Sequence, residues 1–301
     1  MKTPGKPQRW WWIIVTSVLL LSACGQDSSF SAEHIHGFAY SAKGSHLLMA
    51  THDGLYSYKK GQWTGPTGEA HDLMGFALTQ KGIFSSGHPP EGSSRPNPLG
   101  LIKSTDEGKT WKTIDFEGQS DFHHMTAGYQ TGALYVMNEH PNPKMGQGFH
   151  ASLDGGKTWK PTGLDGMKGE LLTLEAHPTR EKTVALGTNV GLFLLKDPGN
   201  RVTVIDGDRQ VTALLFDRKQ PNRLWAGVYT NRPILTRYDI KSRKSEAMQL
   251  PLDDPEDAVQ FIAQHPQKPN TIAIATFNKQ VFISENGGQN WKQILKEGKS
   301  I

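Results

Sequence analysis

Three octapeptides decide the fold: Ser104-Thr-Asp-Glu-Gly-Lys-Thr-Trp111, Ser152-Leu-Asp-Gly-Gly-Lys-Thr-Trp159 and Ser284-Glu-Asn-Gly-Gly-Gln-Asn-Trp291. Short β-rich runs flank each one, such as GLIKS before the first and KTI after it, which places the octapeptide in a hairpin turn. Ser104, Asp106, Ser152, Asp154, Ser284 and Asn286 have side chains suited to bonding the turn's own N–H groups. Gly108, Gly156 and Gly288 supply the positive-φ position, and Trp111, Trp159 and Trp291 pack their rings back over the sheet. An Asp in a tight turn usually bonds its own loop, so the boxes are expected to be structural rather than calcium or sugar sites.

Wider units surround the boxes. Each opens with an apolar strand and continues through three more short strands. Their starts fall near His34, His71, Asp121, Glu170, Gln210 and Ala258, roughly 40–50 residues apart, about the length four strands need. Units 1, 4 and 5 lack the box but keep the strand pattern, as in HLLMATHDGLYSY and KTVALGTNVGLFLL. The octapeptide resembles the Asp-box, or BNR repeat, of sialidase-like and sortilin-like β-propellers. The first two copies match S-x-D-x-G-x-T-W at every fixed position, while the third carries Asn286 and Asn290. The expectation is an all-β, six-bladed β-propeller over residues 32–301; no seventh unit is visible.

The 301 residues include 32 glycines, 18 prolines and 8 tryptophans, a composition of turns and aromatic anchors rather than of a helical bundle. Three of the basic residues, Lys2, Lys6 and Arg9, precede the mostly apolar run Trp10–Leu21. Twelve helical residues span about 18 Å, too short for a bilayer core of about 30 Å. Residues 1–23 therefore read as a signal peptide. Its ending, Leu21-Ser22-Ala23-Cys24, resembles the bacterial lipobox, which implies a diacylglyceryl lipid on Cys24, a polar tether over 24–31, and a domain held on the extracytoplasmic side of the cell membrane. Cys24 is the only cysteine, so neither a disulfide nor a thiolate nucleophile is available. Without the three leading cations, 30 basic residues face 29 acidic ones, a balance that excludes a nucleic-acid partner.

Histidine is distributed unevenly. Aligning the ends of the second strands gives His52, His88 and His140 in units 1–3, and Asn189, Asn231 and Asn278 in units 4–6. The first strands of units 1–3 open with His34-Ile-His36, His71-Asp72 and Asp121-Phe-His123-His124. By propeller analogy all of these fall on one face, opposite the boxes. Three explanations stand side by side. One is a zinc or copper site drawn from His36, His52, His88, His124 and His140, with Asp72 or Asp121 as ligand or orienting partner. Another is a recognition face for a protein or glycan, lined by His36, His52, His71, His88, His124, His140 and the three asparagines. The third is a turn preference shared by His and Asn. The Pro/Gly-rich loops 88–100 and 140–150 belong to the same face. His177-Pro178 and His265-Pro266, matched by Asp217 in unit 5, are instead expected to start turns.

The resemblance also raises catalysis. A sialidase needs an arginine triad, the first member in an Arg-Ile-Pro motif ahead of the first box. Arg95-Pro96 and Arg232-Pro233 have neither the motif nor the position. A different envelope glycoside hydrolase would use paired carboxylates across the channel, with Asp72 and Glu170 the best placed. The favoured expectation is a membrane-anchored binding or assembly module similar to the sortilin-like and photosystem-assembly-factor-like propellers. A glycosidase and a metal-binding lipoprotein are the alternatives.

Overall fold

The computed structural model describes residue 1, residues 30–196 and residues 201–301. The expected export signal and Cys24 fall in residues 2–29, outside the described residues. The fold is an all-β, six-bladed β-propeller: six antiparallel sheets, each with its strands in chain order or its reverse. The first strands are Ile35–Tyr40, Asp72–Thr79, Met125–Ala127, Leu171–Ala176, Gln210–Phe216 and Val259–Gln264. Each touches the next around a closed ring, and Val259–Gln264 touches Ile35–Tyr40. The expected starts match these strands to within a residue except in blade 3, where the first strand is short and begins at Met125.

Burial on both faces explains the near-continuous apolar runs of the inner strands. Each of six apolar clusters combines residues of two neighbouring blades. Leu48, Leu55, Leu73 and Ile83 join blades 1 and 2, for example, and Phe38, Met49, Ala273 and Leu295 join blades 1 and 6. The core is therefore a ring of inter-blade seams around a channel. The last seam is closed by the N-terminal segment. Phe30 stacks on Trp63 (ring centroids 4.8 Å apart), Ser31 bridges Lys299, and Ala32 N–H donates to Gly298 O at 2.8 Å. Phe30 and Ser31, expected in the tether, thus belong to the propeller, because an aromatic side chain finds burial there that a polar tether cannot offer.

The boxes lie in the turns between third and fourth strands. Ser152 Oγ accepts from Gly156 N–H (2.8 Å) and donates to Asp154 Oδ1 (2.7 Å), and Asp154 Oδ2 accepts from Thr158 Oγ1 (2.6 Å). Ser104, Asp106 and Thr110 repeat this pattern. The Thr110 hydroxyl and N–H hold the Asp106 carboxyl down to about 2, and Thr158 likewise holds Asp154 low. In the decayed box Asn286 keeps the bond from Ser284 and the one from Asn290 N–H. The glycines bring the turn onto the preceding blade. A Cβ on Gly108 would strike Leu55 of blade 1, and one on Gly156 would strike Leu101 of blade 2. Trp111 and Trp159 pack into the same seams. The box is thus a clamp between blades as well as a turn.

Ser152 is 1% exposed. Ser152→Ala strands a buried N–H at Gly156 and should cost about 1–3 kcal/mol in denaturant unfolding. Asp154→Asn should cost less, since Asn286 already serves that position in the third box.

The turn-starting residues behave as expected. His177 Nδ1 accepts from the N–H groups of Thr179 and Arg180, and His265 Nδ1 from those of Gln267 and Lys268. Asp217 Oδ1 does the same for Lys219 and Gln220. Burial lowers His177 to about 4, so its ring stays a neutral acceptor.

Candidate functional site at the channel mouth

Five of the six first strands carry a β-bulge at the same place, between Ile35 and Gly37, Leu73 and Gly75, Leu171 and Thr173, Val211 and Ala213, and Val259 and Phe261. The unpaired residue of a bulge is re-aimed out of the ladder. Here those residues are His36, Met74, Leu172, Thr212 and Gln260, and all five line one cavity of ≈ 320 Å³ in the channel. His123 completes the ring from blade 3. The bulge is thus the local device that points one side chain per blade into the mouth.

The ladders also revise the expected second-strand alignment. The residues opposite Ile35, Leu73, Leu171, Val211 and Val259 are Thr51, Gly87, Thr188, Val228 and Thr276. The next positions are therefore His52, His88, Asn189, Tyr229 and Phe277. Asn231 and Asn278 lie beyond the matching place, and His140 lies two residues past the strand Leu134–Asn138. The His/Asn alternation is not a property of one equivalent position. The asparagines serve their loops: Asn189 Oδ1 accepts from Glu170 N–H at 3.0 Å, Asn231 Oδ1 from Thr230 Oγ1, and Asn278 Nδ2 donates to Asp254.

Two inter-blade clusters do form. His52 Nδ1 of blade 1 lies 2.8 Å from Asp72 Oδ1 of blade 2, and His52 Nε2 lies 3.4 Å from His36 Nε2. One blade on, His88 Nε2 is 3.2 Å and His123 Nε2 2.7 Å from Asp121 Oδ2. The pattern repeats: a histidine ending one blade's second strand meets an aspartate opening the next blade. Burial, helped by the His52 charge, lowers His36 to about 4, whereas the bond to Asp121 raises His123. Burial lowers His124, which lines the cavity.

The remaining expected residues stand apart. His71 is fully buried between Arg95 and Glu69 and cannot meet a ligand at the rim. His140 is exposed in its loop. The set His52, His88 and His140 is therefore not brought together; the three-residue group that could hold a metal, among the described residues, is His36, His52 and Asp72. The glycosidase pair fares no better, since Asp72 is occupied by His52 and exposed Glu170 sits two blades away. Both long loops are pinned: Asn97 Oδ1 lies 2.6 Å from His88 Nδ1, and Asn138 Nδ2 donates to Met145 O.

At the far end of the channel lies a pair of ionisable groups that sequence reasoning missed. Glu175 lines the cavity, accepting from Thr126 Oγ1 at 3.3 Å, and Arg218 lies with its guanidinium 4.0 Å from the centre of the Tyr129 ring. Burial pushes the Glu175 carboxyl up to about 8 against the pull of Arg218. The other blades place Ala39, Ala77, Thr126, Leu215 and Ala263 in that register. A strand-by-strand alignment would have exposed this lone acid.

No family model matches the chain, and no curated protein matches its sequence. Solved propellers do match it. A GH74 enzyme of Niastella koreensis superposes with a TM-score of 0.62 at 14% identity, covering 89% of this chain and 46% of the enzyme. The GH74 xyloglucanase of Xanthomonas campestris gives 0.57 at 13% identity, over 89% and 46%. YCF48 bound to D1 peptide gives 0.51 at 16% identity, over 88% of this chain and 81% of YCF48. The chain spans less than half the length of the two GH74 enzymes. At these identities the likeness shows the fold alone: a β-propeller similar to those of GH74 enzymes and of YCF48.

Proposed function

We propose that the protein is a non-catalytic binding or assembly module that docks a polypeptide segment across the channel mouth. The observation that carries this reading is the mixed polar and apolar character of that mouth. Blades 1–3 present His36, His52, His88, His123, Asp72 and Asp121 as a polar arc, with Met74 among them. Blades 4–6 add Leu172, Phe261 and Phe277, the last 53% exposed, beside Thr212 and Gln260. A segment with alternating apolar and polar side chains finds complementary walls there, and exposed aromatics on a rigid rim are typical binding anchors. The YCF48 structure holds a D1 peptide and matches this chain over most of both lengths, which favours a protein ligand by analogy.

A peptide array and a glycan array probed with the same protein test the choice, alongside a chromogenic glycoside panel. Binding to peptides that Phe277→Ala weakens is the expected result. Glycoside turnover abolished by Asp72→Asn or Glu170→Gln would replace this reading with the hydrolase. The same proposal places the module on the outer side of the cell membrane through a lipid on Cys24, resting on Leu21-Ser22-Ala23-Cys24. Mass spectrometry of the membrane fraction should find a diacylated Cys24 as the first residue; an unmodified or uncleaved N-terminus overturns the anchor.

A further inference from the structure

We infer that His36, His52 and Asp72 form a binding site for one divalent transition-metal ion at the seam between blades 1 and 2. The inference goes beyond the docking reading and does not depend on it.

Three observations carry it. First, the donors converge. The two Nε2 atoms of His36 and His52 are 3.4 Å apart, and all three residues offer ligand atoms within 4.8 Å of one another. Bonds of 2.0–2.1 Å to a tetrahedral ion imply donor–donor edges of about 3.3 Å, so the histidine pair already has the required spacing. His52 is half-exposed and free to turn slightly to close the remaining span.

Second, the carboxylate faces an imidazole and no other donor. Asp72 Oδ1 is buried 2.8 Å from His52 Nδ1, without the alignment of a hydrogen bond. A buried carboxylate is stabilised by a positive charge beside it, which a bound cation supplies. Two ring nitrogens facing each other at 3.4 Å likewise satisfy one another only when one carries a proton, whereas a metal ion uses both lone pairs.

Third, the backbone fixes the geometry. His36 is the bulged residue of its strand, turned out of the ladder into the channel, and Asp72 opens the neighbouring strand opposite His88. Two imidazoles and one carboxylate suit zinc, iron(II) or cobalt(II) rather than calcium or magnesium, which prefer all-oxygen shells. Three protein donors on an open rim leave at least one coordination position facing solvent.

The test uses the chain purified without a histidine tag. Isothermal titration with Zn²⁺ should give one equivalent, and Co²⁺ should give the visible absorption of a tetrahedral site. His52→Ala and Asp72→Ala should each weaken Zn²⁺ binding by at least about tenfold and abolish the Co²⁺ band. His46→Ala, in the turn on the opposite face, should bind as the wild type does. Position 52 is half-exposed, so loss of binding in His52→Ala is read together with an unchanged melting temperature of the metal-free protein. Sub-stoichiometric binding by the wild type, or wild-type affinity in His52→Ala and Asp72→Ala, overturns the site.

Discussion

Replacing Glu175 with glutamine should abolish a loss of stability that the wild-type protein suffers as pH rises from about 4.5 to about 8. The physical cause is burial. Glu175 sits inside the channel, where the charged carboxylate loses its hydration, and its pKa is pushed up from the ordinary 4.5 to about 8. A group whose folded pKa is raised contributes stability that is complete below its unfolded pKa. That contribution fades as pH climbs through the folded value. For Glu175 the window therefore runs from about 4.5 to about 8. The loss should be on the order of 5 kcal/mol, because each tenfold change in proton affinity is worth about 1.4 kcal/mol and the value of about 8 already includes the pull of Arg218.

Glutamine copies the shape and hydrogen bonding of the neutral acid, so Glu175→Gln should match the wild type near pH 4.5. The two should then diverge with rising pH. The histidines titrate in both proteins, so the difference between the two curves isolates Glu175. Urea unfolding on either side of the window, near its acid end and above its upper end, is the measurement. Parallel curves for the two proteins would mean that the carboxyl is solvated and that the channel is wet at its far end.

The second large effect concerns Gly87. Its φ is +137°, a conformation that side chains other than glycine's rarely adopt, and an added Cβ would collide with the Asp72 carbonyl oxygen. Gly87 faces Leu73 across the bulge that sets Met74 into the mouth, and its carbonyl accepts from Leu99 N–H at 2.8 Å. Gly87→Ala therefore strains the backbone and pushes apart the strands that bear Asp72 and His88. A destabilisation of about 3 kcal/mol or more is expected in denaturant unfolding. The same change should disturb the His52–Asp72 and His88–Asp121 pairs, because both depend on the ends of these two strands. Thr51→Ala, at the matching position of blade 1, costs less, because that strand end needs no positive φ. Equal effects of the two substitutions would contradict the role given to this bulge.

Much of this architecture was legible in the amino-acid order, for a definite reason. The box turns need Ser, Asp and Gly at fixed spacing, so their chemistry is local and survives in the order of the chain. Strand content and blade number follow from short apolar runs punctuated by such turns. The mouth was harder to read. His36, Met74 and Leu172 share one place in the ring only because a bulge inserts an extra residue in each strand, and a bulge leaves no fixed mark in sequence. Alignment by residue type paired His52 with Asn231 and Asn278, whereas the ladders pair it with Tyr229 and Phe277. His71 looked like a rim residue because it precedes Asp72, but alternation along the strand turns it inward, against Arg95. Glu175 was invisible for the opposite reason: it sits within the apolar run LLTLEA, and only its neighbours across the channel reveal it.

The central claim is that the mouth, and not the box face, is where a partner binds. Site-specific photocrosslinking tests this most directly, with a benzoyl-phenylalanine at Phe277 on the rim and another at Lys157 in the second box. Crosslinking in intact cells should yield one discrete protein adduct from position 277 and none from position 157. An adduct from position 157 alone, or the same adduct from both, would contradict the account.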